Sequence, residues 1–378
     1  MPSSPPSPPS GPSDSSPPPA SSPLSVSAAS SPASPSSAAS SRSAASPSSP
    51  TVRDVAALAG VSPMTVSRTM SGGRNVRPEV QVRVRAAADQ LGYRPNQSAR
   101  NTRLRRPTGL IGVAVTNLGN PYYGQFALGI EDVAAQNGRH ILIGNTREDP
   151  SRERELLDDF AGRQVEGLII VPAGNGLSVL GEGQVTSSMP LVLATRAVQG
   201  VRSDTVLVDD VGGAVAGTTA LIDDGHSRVA FLGDISGIPT ARRRFEGFNS
   251  ALDARGLGFD ESLLYSVRDA DSALQAVAGS LGGHNPPTAF FSTNNRTTVG
   301  ALRAVWNHRR NHPGLEVPAI ASFDDVELAD LLDVPLTVMS HDPRALGAQA
   351  ARMLFERLAG DAPSEPRTIS MPVTVQRY

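Results

Sequence analysis

From Thr108 onward, short apolar runs alternate with longer amphipathic stretches. The runs Leu110–Val115, Ile141–Ile143, Leu168–Val171, Leu191–Ala194, Val206–Val208, Val229–Leu232, Ala289–Phe291 and Ala319–Phe323 carry no internal polar alternation, which marks strands buried on both faces. Helix-length stretches near 122–137, 152–162, 211–224, 242–255, 270–281, 297–309 and 344–359 lie between most of them. This alternation predicts parallel sheets covered by helices. Two successive series in residues 108–378 predict two doubly wound subdomains, with a ligand cleft between them at the carboxyl ends of the strands.

The pattern before this region is different. Thr51 followed by Asp54 reads as a capping box, and Val55 with Leu58 forms an apolar i, i+3 pair beside Ala56 and Ala59. Gly60 stops that helix. Ser62 and Pro63 open a second helix, with Val66 and Met70 facing inward. A third helix begins near Pro78, carries the stripe Val80, Val84, Ala87, Ala88, Leu91, and ends at Gly92. Residues 93–107 have no apolar periodicity and carry five Arg, the pattern of a hinge.

Composition separates the parts further. Residues 1–50 hold 22 Ser, 14 Pro and 8 Ala, too little apolar content for a core, so a disordered tail is expected. The net charge of −2 hides a division: 11 Arg against 3 acidic residues in 51–106, and 22 Arg against 32 acidic residues in 107–378. A basic module of +8 is joined to an acidic one of −10, and the basic module is the candidate for a polyanionic partner. Every basic residue is Arg, so arginine number alone carries little weight; the segregation of charge carries the argument.

The turn Ala59–Gly60–Val61–Ser62 sets two short helices at helix-turn-helix spacing, and the second exposes Pro63, Met64, Ser67 and Arg68 on one face. Here the chain resembles the LacI/GalR family of bacterial transcriptional regulators over residues 51–378. The resemblance rests on DVAALAGVSPMTVSR, LGYRPNQSAR, GLIGVAVTNLGNPYYGQFALGIE, VEGLIIVPAG, DDGHSRVAFLGD, RRRFEGFNSAL, FDD at 323–325 and LTVMSHDPRALGAQAARMLFERL, in the family's order and spacing. It implies an α/β protein: a helix-turn-helix headpiece (51–92), a hinge (93–107) and a periplasmic-binding-protein-like core (108–378) that binds a small effector. It also implies a cytoplasmic homodimer on a pseudo-palindromic operator in double-stranded DNA.

Position by position, the resemblance makes Pro63, Met64 and Arg68 the base-reading residues. Arg68 suits bidentate bonding to guanine, whereas Met64 offers only an apolar contact such as a thymine methyl. Thr65, Ser67, Asn75, Tyr93 and Asn96 would hold the DNA backbone. Thr51 at the first cap and Arg100 and Thr102 in the hinge complete the DNA-facing set. The family usually has leucine where Thr102 stands, as a wedge that kinks the minor groove. Two alternatives stay open: Leu104 replaces the wedge, or the DNA bends less and Arg100, Arg103, Arg105 and Arg106 contact its backbone.

For the effector, the resemblance points to Tyr122, Tyr123, Thr195, Arg196, Arg244, Asn295 and His341. Family members commonly have aspartate where Asn295 and Thr195 stand and glutamine where His341 stands. With two expected carboxylates absent and two arginines kept, three readings stay open: an effector with an anionic group, a sugar bound with altered geometry, or a pocket that binds nothing strongly.

Other classes find no support. There is no apolar run long enough for a membrane span, no secretory leader pattern, and no Cys for thiolate metal sites or nucleophiles. His308 and His312 at i, i+4 read as a solvated helix end, so no metal and no cofactor is expected. The Asp324–Asp325 pair reads as structural or cleft-lining, and no hydrolase, P-loop or dinucleotide motif occurs, so no enzyme is expected. The alternative is a solute-binding protein that shares only the core fold.

Overall fold

The computed structural model describes residues 50–73, 75–94, 107–174 and 189–378, which fall into two compact units, one up to residue 94 and one from residue 107. In the first unit, the Thr51–Asp54 capping box opens α1 (Val52–Ala59), and Gly60 closes it with a φ of 65°. Ser62 caps α2 (Pro63–Met70), and α3 (Pro78–Leu91) ends at Gly92. Val55, Ala56, Ala59, Val66, Val84, Ala87 and Ala88 form the small core. Leu58 departs from the sequence reading: it is 47% exposed. The alanines at 56 and 59 take the inward positions, and their small size lets α1 lie close to α3, which turns Leu58 to the outside.

The second unit has two lobes, each built on a six-stranded sheet. The first sheet contains β1 (Leu110–Val115), β2 (His140–Asn145), β3 (Gly167–Ile170), β4 (Leu191–Ala194) and β5 (Asp204–Val208), all parallel. Helices α4 (Pro121–Gln136) and α5 (Pro150–Gly162) alternate with the first of them. The chain then crosses to the second lobe through α6 (Asp210–Asp223). There β6 (Val229–Leu232), α7 (Pro239–Ala254), β7 (Leu264–Tyr265), α8 (Ala270–Leu281), β8 (Ala289–Ser292), α9 (Asn295–Asn311), β9 (Ala319–Phe323) and β10 (Leu336–Ser340) follow. It returns through α10 (Pro343–Ala359), adds β11 (Thr368–Met371) parallel to β5, and crosses again so that β12 (Thr374–Arg377) pairs antiparallel with β10.

The eight strands and seven helices of the sequence reading all occur. Four strands, β7, β10, β11 and β12, did not register as apolar runs. β7 has two residues, β10 mixes hydroxyls with its apolar side chains, and β11 and β12 are partly or fully exposed edge strands.

The return crossing depends on close packing. A Cβ on Gly347 of α10 would stand 2.1 Å from the carbonyl oxygen of Phe126 in α4, and one on Gly129 would stand 2.0 Å from that of Arg344. Only glycine at both positions lets the two helix backbones approach this closely. The crossings after β5 and β10 bring the carboxyl ends of both sheets to one cleft.

Candidate functional site

On α2, Pro63, Met64, Ser67 and Arg68 are exposed, while Val66 and Thr69 are buried beneath them. Met64 is 62% exposed, a large apolar side chain on an otherwise polar helix face. Thr65 is turned toward the cap, its hydroxyl 2.9 Å from that of Ser62. Asn75 has a φ of 62°, in the turn before α3. Tyr93 packs against the headpiece core, and Thr51 bonds Asp54. Asn96, Arg100, Thr102 and Leu104 lie outside the described residues.

The cleft of the second unit is assembled from residues that follow strands: Thr116 after β1, Glu148 after β2, Thr195 and Arg196 after β4, Asp210 after β5, Asp234 after β6, Thr293 after β8, Asp324 after β9 and His341 after β10. Three of them, Glu148, Thr195 and Asp324, hold left-handed backbone with φ of 59°, 62° and 68°. Such conformations cost about 1–3 kcal/mol each for non-glycine residues and persist where the surroundings impose them, often at binding sites. At Thr195 the amide of Arg196 donates to the carbonyl of Ala194 at 2.7 Å, a three-residue turn that swings Arg196 into the lobe.

Arg196 is buried, and both of its terminal nitrogens donate to Glu148 at 2.7 Å; one also donates to the Pro172 carbonyl. Burial opposes ionisation of Glu148, but the Arg196 bonds and the Gly174 amide overcome it and hold the carboxyl below its usual range. Arg244 is equally committed. Its Nε donates to Asp210 Oδ1 at 2.8 Å, a terminal nitrogen donates to the Thr293 carbonyl, and the guanidinium lies 3.6 Å over the ring of Phe323. Arg268 closes on Asp234, which also accepts from the amides of Ser236 and Gly237.

Asp324 is different. It is buried, yet its Oδ1 has no hydrogen-bond partner; Arg244 Nη1 stands 3.8 Å away and His341 Nδ1 3.9 Å away, both too far for a direct bond. Burial raises the Asp324 carboxyl above its usual value, with the Arg244 charge acting against this. Burial, then the same positive charge, lowers the His341 imidazole to about 4, so it is neutral near pH 7.

The seven effector candidates do not all meet in one chamber. Tyr122, Tyr123, Thr195, Arg196 and Arg244 line a cavity of about 150 Å³, together with Thr116, Glu148, Asp234, Arg268, Arg296 and Asp324. Asn295 and His341 line an adjoining hollow behind Tyr122. There Asn295 Nδ2 donates to Asn120 Oδ1 at 2.8 Å across the two lobes, and His341 Nε2 lies 3.3 Å from the Tyr122 hydroxyl. Glu148, Asp210 and Asp234 went unnoticed in the sequence because nothing near them in the chain marks their partners. Asp324 did carry a signal, the FDD stretch after a strand.

Elsewhere, the His308 and His312 rings lie 4.6 Å apart, tilted by 31°, near the end of α9. Among the described residues no group of three or more His, Cys, Asp or Glu is placed to hold a metal, and no helix is long and apolar enough to cross a membrane.

A helix-turn-helix unit joined to a two-lobed core with a polar cleft defines a ligand-responsive DNA-binding regulator. Residues 51–96 match the bacterial regulatory proteins of the lacI family, and residues 218–377 match the periplasmic binding protein-like domain. Catabolite control protein A of Priestia megaterium is 31% identical over 309 residues, 80% of this chain and 91% of that protein. The ribose operon repressor of Escherichia coli K12 is 29% identical over 86% of this chain and 98% of its own. The lac repressor dimer bound to operator and the anti-inducer ONPF superimposes with a TM-score of 0.68 at 25% identity, covering 86% of this chain and 98% of that one. The chain belongs to the lacI family: it is a sequence-specific DNA-binding transcriptional regulator with an effector-responsive core, not an enzyme.

Proposed function

We propose that the effector is a neutral polyhydroxylated molecule of the sugar class, bound between the lobes against Asp324. The observation that carries this is charge closure. Arg196, Arg244 and Arg268 are each already paired with a carboxylate, Glu148, Asp210 and Asp234 respectively. These acids neutralise Arg196, Arg244 and Arg268, so of the chamber's arginines only the half-buried Arg296 is without an ion pair among the described residues, and the two inner arginines offer no free charge to an anion. The unsatisfied Asp324 Oδ1 is instead an acceptor for a ligand hydroxyl. The name of the Escherichia coli relative, a ribose operon repressor, is consistent with this class.

In the same reading, residues 51–92 form the headpiece, 93–107 the hinge and 108–378 the core of a homodimer acting in the cytoplasm on a pseudo-palindromic operator. Pro63, Met64 and Arg68 read bases, and Thr51, Thr65, Ser67, Asn75, Tyr93, Asn96, Arg100 and Thr102 contribute to backbone contact. Effector binding changes lobe closure, and operator affinity changes by the effector's differential affinity for the two states.

The test follows the thermal melting of the full chain with neutral sugars, sugar phosphates and carboxylates, and repeats it with operator DNA. A ligand at about 100 times its Kd adds roughly 2.7 kcal/mol of stability. A rise with neutral sugars supports the reading; a rise confined to phosphates or carboxylates overturns it.

A further inference from the structure

The chamber and the hollow behind it share three walls: Tyr122, Arg296 and Asp324. The chamber alone, about 150 Å³, falls below the ~300–1,000 Å³ of ordinary small-molecule sites. The adjoining hollow, about 470 Å³, lies within that range by itself, and the chamber extends it past Tyr122. Unpartnered buried polar atoms gather around the hollow, one of them, on Asp324, belonging to the shared wall. Asp324 Oδ1, Asn295 Oδ1 and His341 Nδ1 have no hydrogen-bond partner, and Asp324 and His341 are 8% and 7% exposed. The 3.9 Å gap between Asp324 Oδ1 and His341 Nδ1 is the span that one hydroxyl bridges with a bond to each. Gln125 and Glu327 add polar groups to the hollow, and Tyr122 adds an aromatic ring.

We infer that the effector occupies both compartments: a disaccharide-sized neutral glycoside with one ring in the chamber and the second in the hollow beyond Tyr122, a hydroxyl meeting Asp324 and His341. This rests on the polyol reading above and extends it to ligand size. The second ring finds there what a sugar ring requires, an aromatic surface for its C–H face and acceptors for its hydroxyls. Around the hollow Asp324, Asp325 and Glu327 outnumber the single cation Arg296, which disfavours an anionic second unit.

The experiment is calorimetric titration of the full chain with maltose, cellobiose, lactose and sucrose, each against its constituent monosaccharides. At least one disaccharide is expected to bind tenfold or more tightly than either constituent. Val299→Phe and, separately, Gln125→Trp reduce the space of the hollow from two different helices. Each is expected to reduce the disaccharide-to-monosaccharide affinity ratio at least fivefold, whereas a merely structural disturbance would weaken both sugars alike and leave the ratio unchanged. Gln125 is exposed, so its replacement keeps the test open if the Val299 variant fails to fold. Equal affinity for mono- and disaccharides, or a ratio unmoved in a folded variant, overturns the two-compartment proposal while leaving the polyol reading intact. Binding of no sugar in the panel removes both.

Discussion

Glu148 and Arg196 face each other in a two-pronged ion pair, both contacts at 2.7 Å, with Arg196 buried behind its partner. Parallel N–H···O bonds of this kind fix geometry as well as charge. The pair turns an arginine that looked available to an anionic ligand into a neutralised piece of cleft wall. Glu148→Gln should therefore destabilise the core by about 3–5 kcal/mol, since a buried cation loses its counter-charge. Urea unfolding would measure it. In the same variant the freed guanidinium should acquire affinity for sugar phosphates; no such gain would mean that the pair does not set ligand charge.

Asp324→Asn keeps the shape of the side chain and removes its charge. A hydrogen bond to a charged group contributes about 1.5–3 kcal/mol, so sugar binding should weaken roughly 10- to 150-fold. The folded state should not suffer, because burial already raises the carboxyl above its usual value. Titration with the sugar identified by melting would read the loss, and an unchanged Kd would exclude Asp324 from the site.

The His341 imidazole is lowered to about 4 in the folded protein, by burial first and the Arg244 charge second. Unfolded histidine titrates near 6.5. Between these values the unfolded chain binds a proton that the folded chain refuses, so stability falls as pH drops through that window, by about 3 kcal/mol at the limit. The raised carboxyls of Asp210 and Asp324 act in the opposite sense at the acidic end, where the folded protein takes up their protons first. Comparison with His341→Gln isolates the histidine: the wild type should lose more stability between pH 6.5 and 4. Parallel curves would show that the imidazole is not held neutral.

In the headpiece, Arg68 is exposed on α2 and Val66 is buried beneath, so Arg68→Ala should leave folding intact. If Arg68 bonds a guanine, its removal costs about 1–3 kcal/mol of operator affinity and relaxes preference at one base pair. Binding-site selection followed by titration on the selected DNA measures both. Uniform weakening across all sequences, with a shallower salt dependence, would instead make Arg68 a phosphate contact.

Gly347→Ala should destabilise the second unit by at least 1–3 kcal/mol, because the added methyl would meet the Phe126 carbonyl at 2.1 Å. Denaturant unfolding monitored by circular dichroism would register it. An unaffected midpoint would mean that α4 and α10 separate at no cost.

Local chemistry wrote much of this protein into its sequence. The Thr51–Asp54 box, the Ser62–Pro63 start and the Gly60 and Gly92 stops act within one helical turn, so they predict α1 to α3 directly. Apolar runs predict eight strands because a strand buried on both faces has no polar position to hide, and seven of them are buried as read, whereas β2 is a half-buried edge strand. Charge segregation separated the basic part from the acidic part without any coordinates. The outward turn of Leu58 and the edge strands β11 and β12 were not legible, since each depends on what a neighbouring element covers.

The cleft shows where sequence stops. Arg196, Arg244 and Tyr122 were identifiable, but their electrostatic state was not. Glu148 lies 48 residues from Arg196, Asp210 lies 34 from Arg244, and His341 lies 219 from Tyr122. These partners meet only because two crossings between the lobes bring the carboxyl ends of both sheets to one place. The sequence thus determined the regulator's parts and their order. The tertiary structure decided which charges cancel and which acceptor is left free, because Coulombic and hydrogen-bond partners are chosen by distance in space.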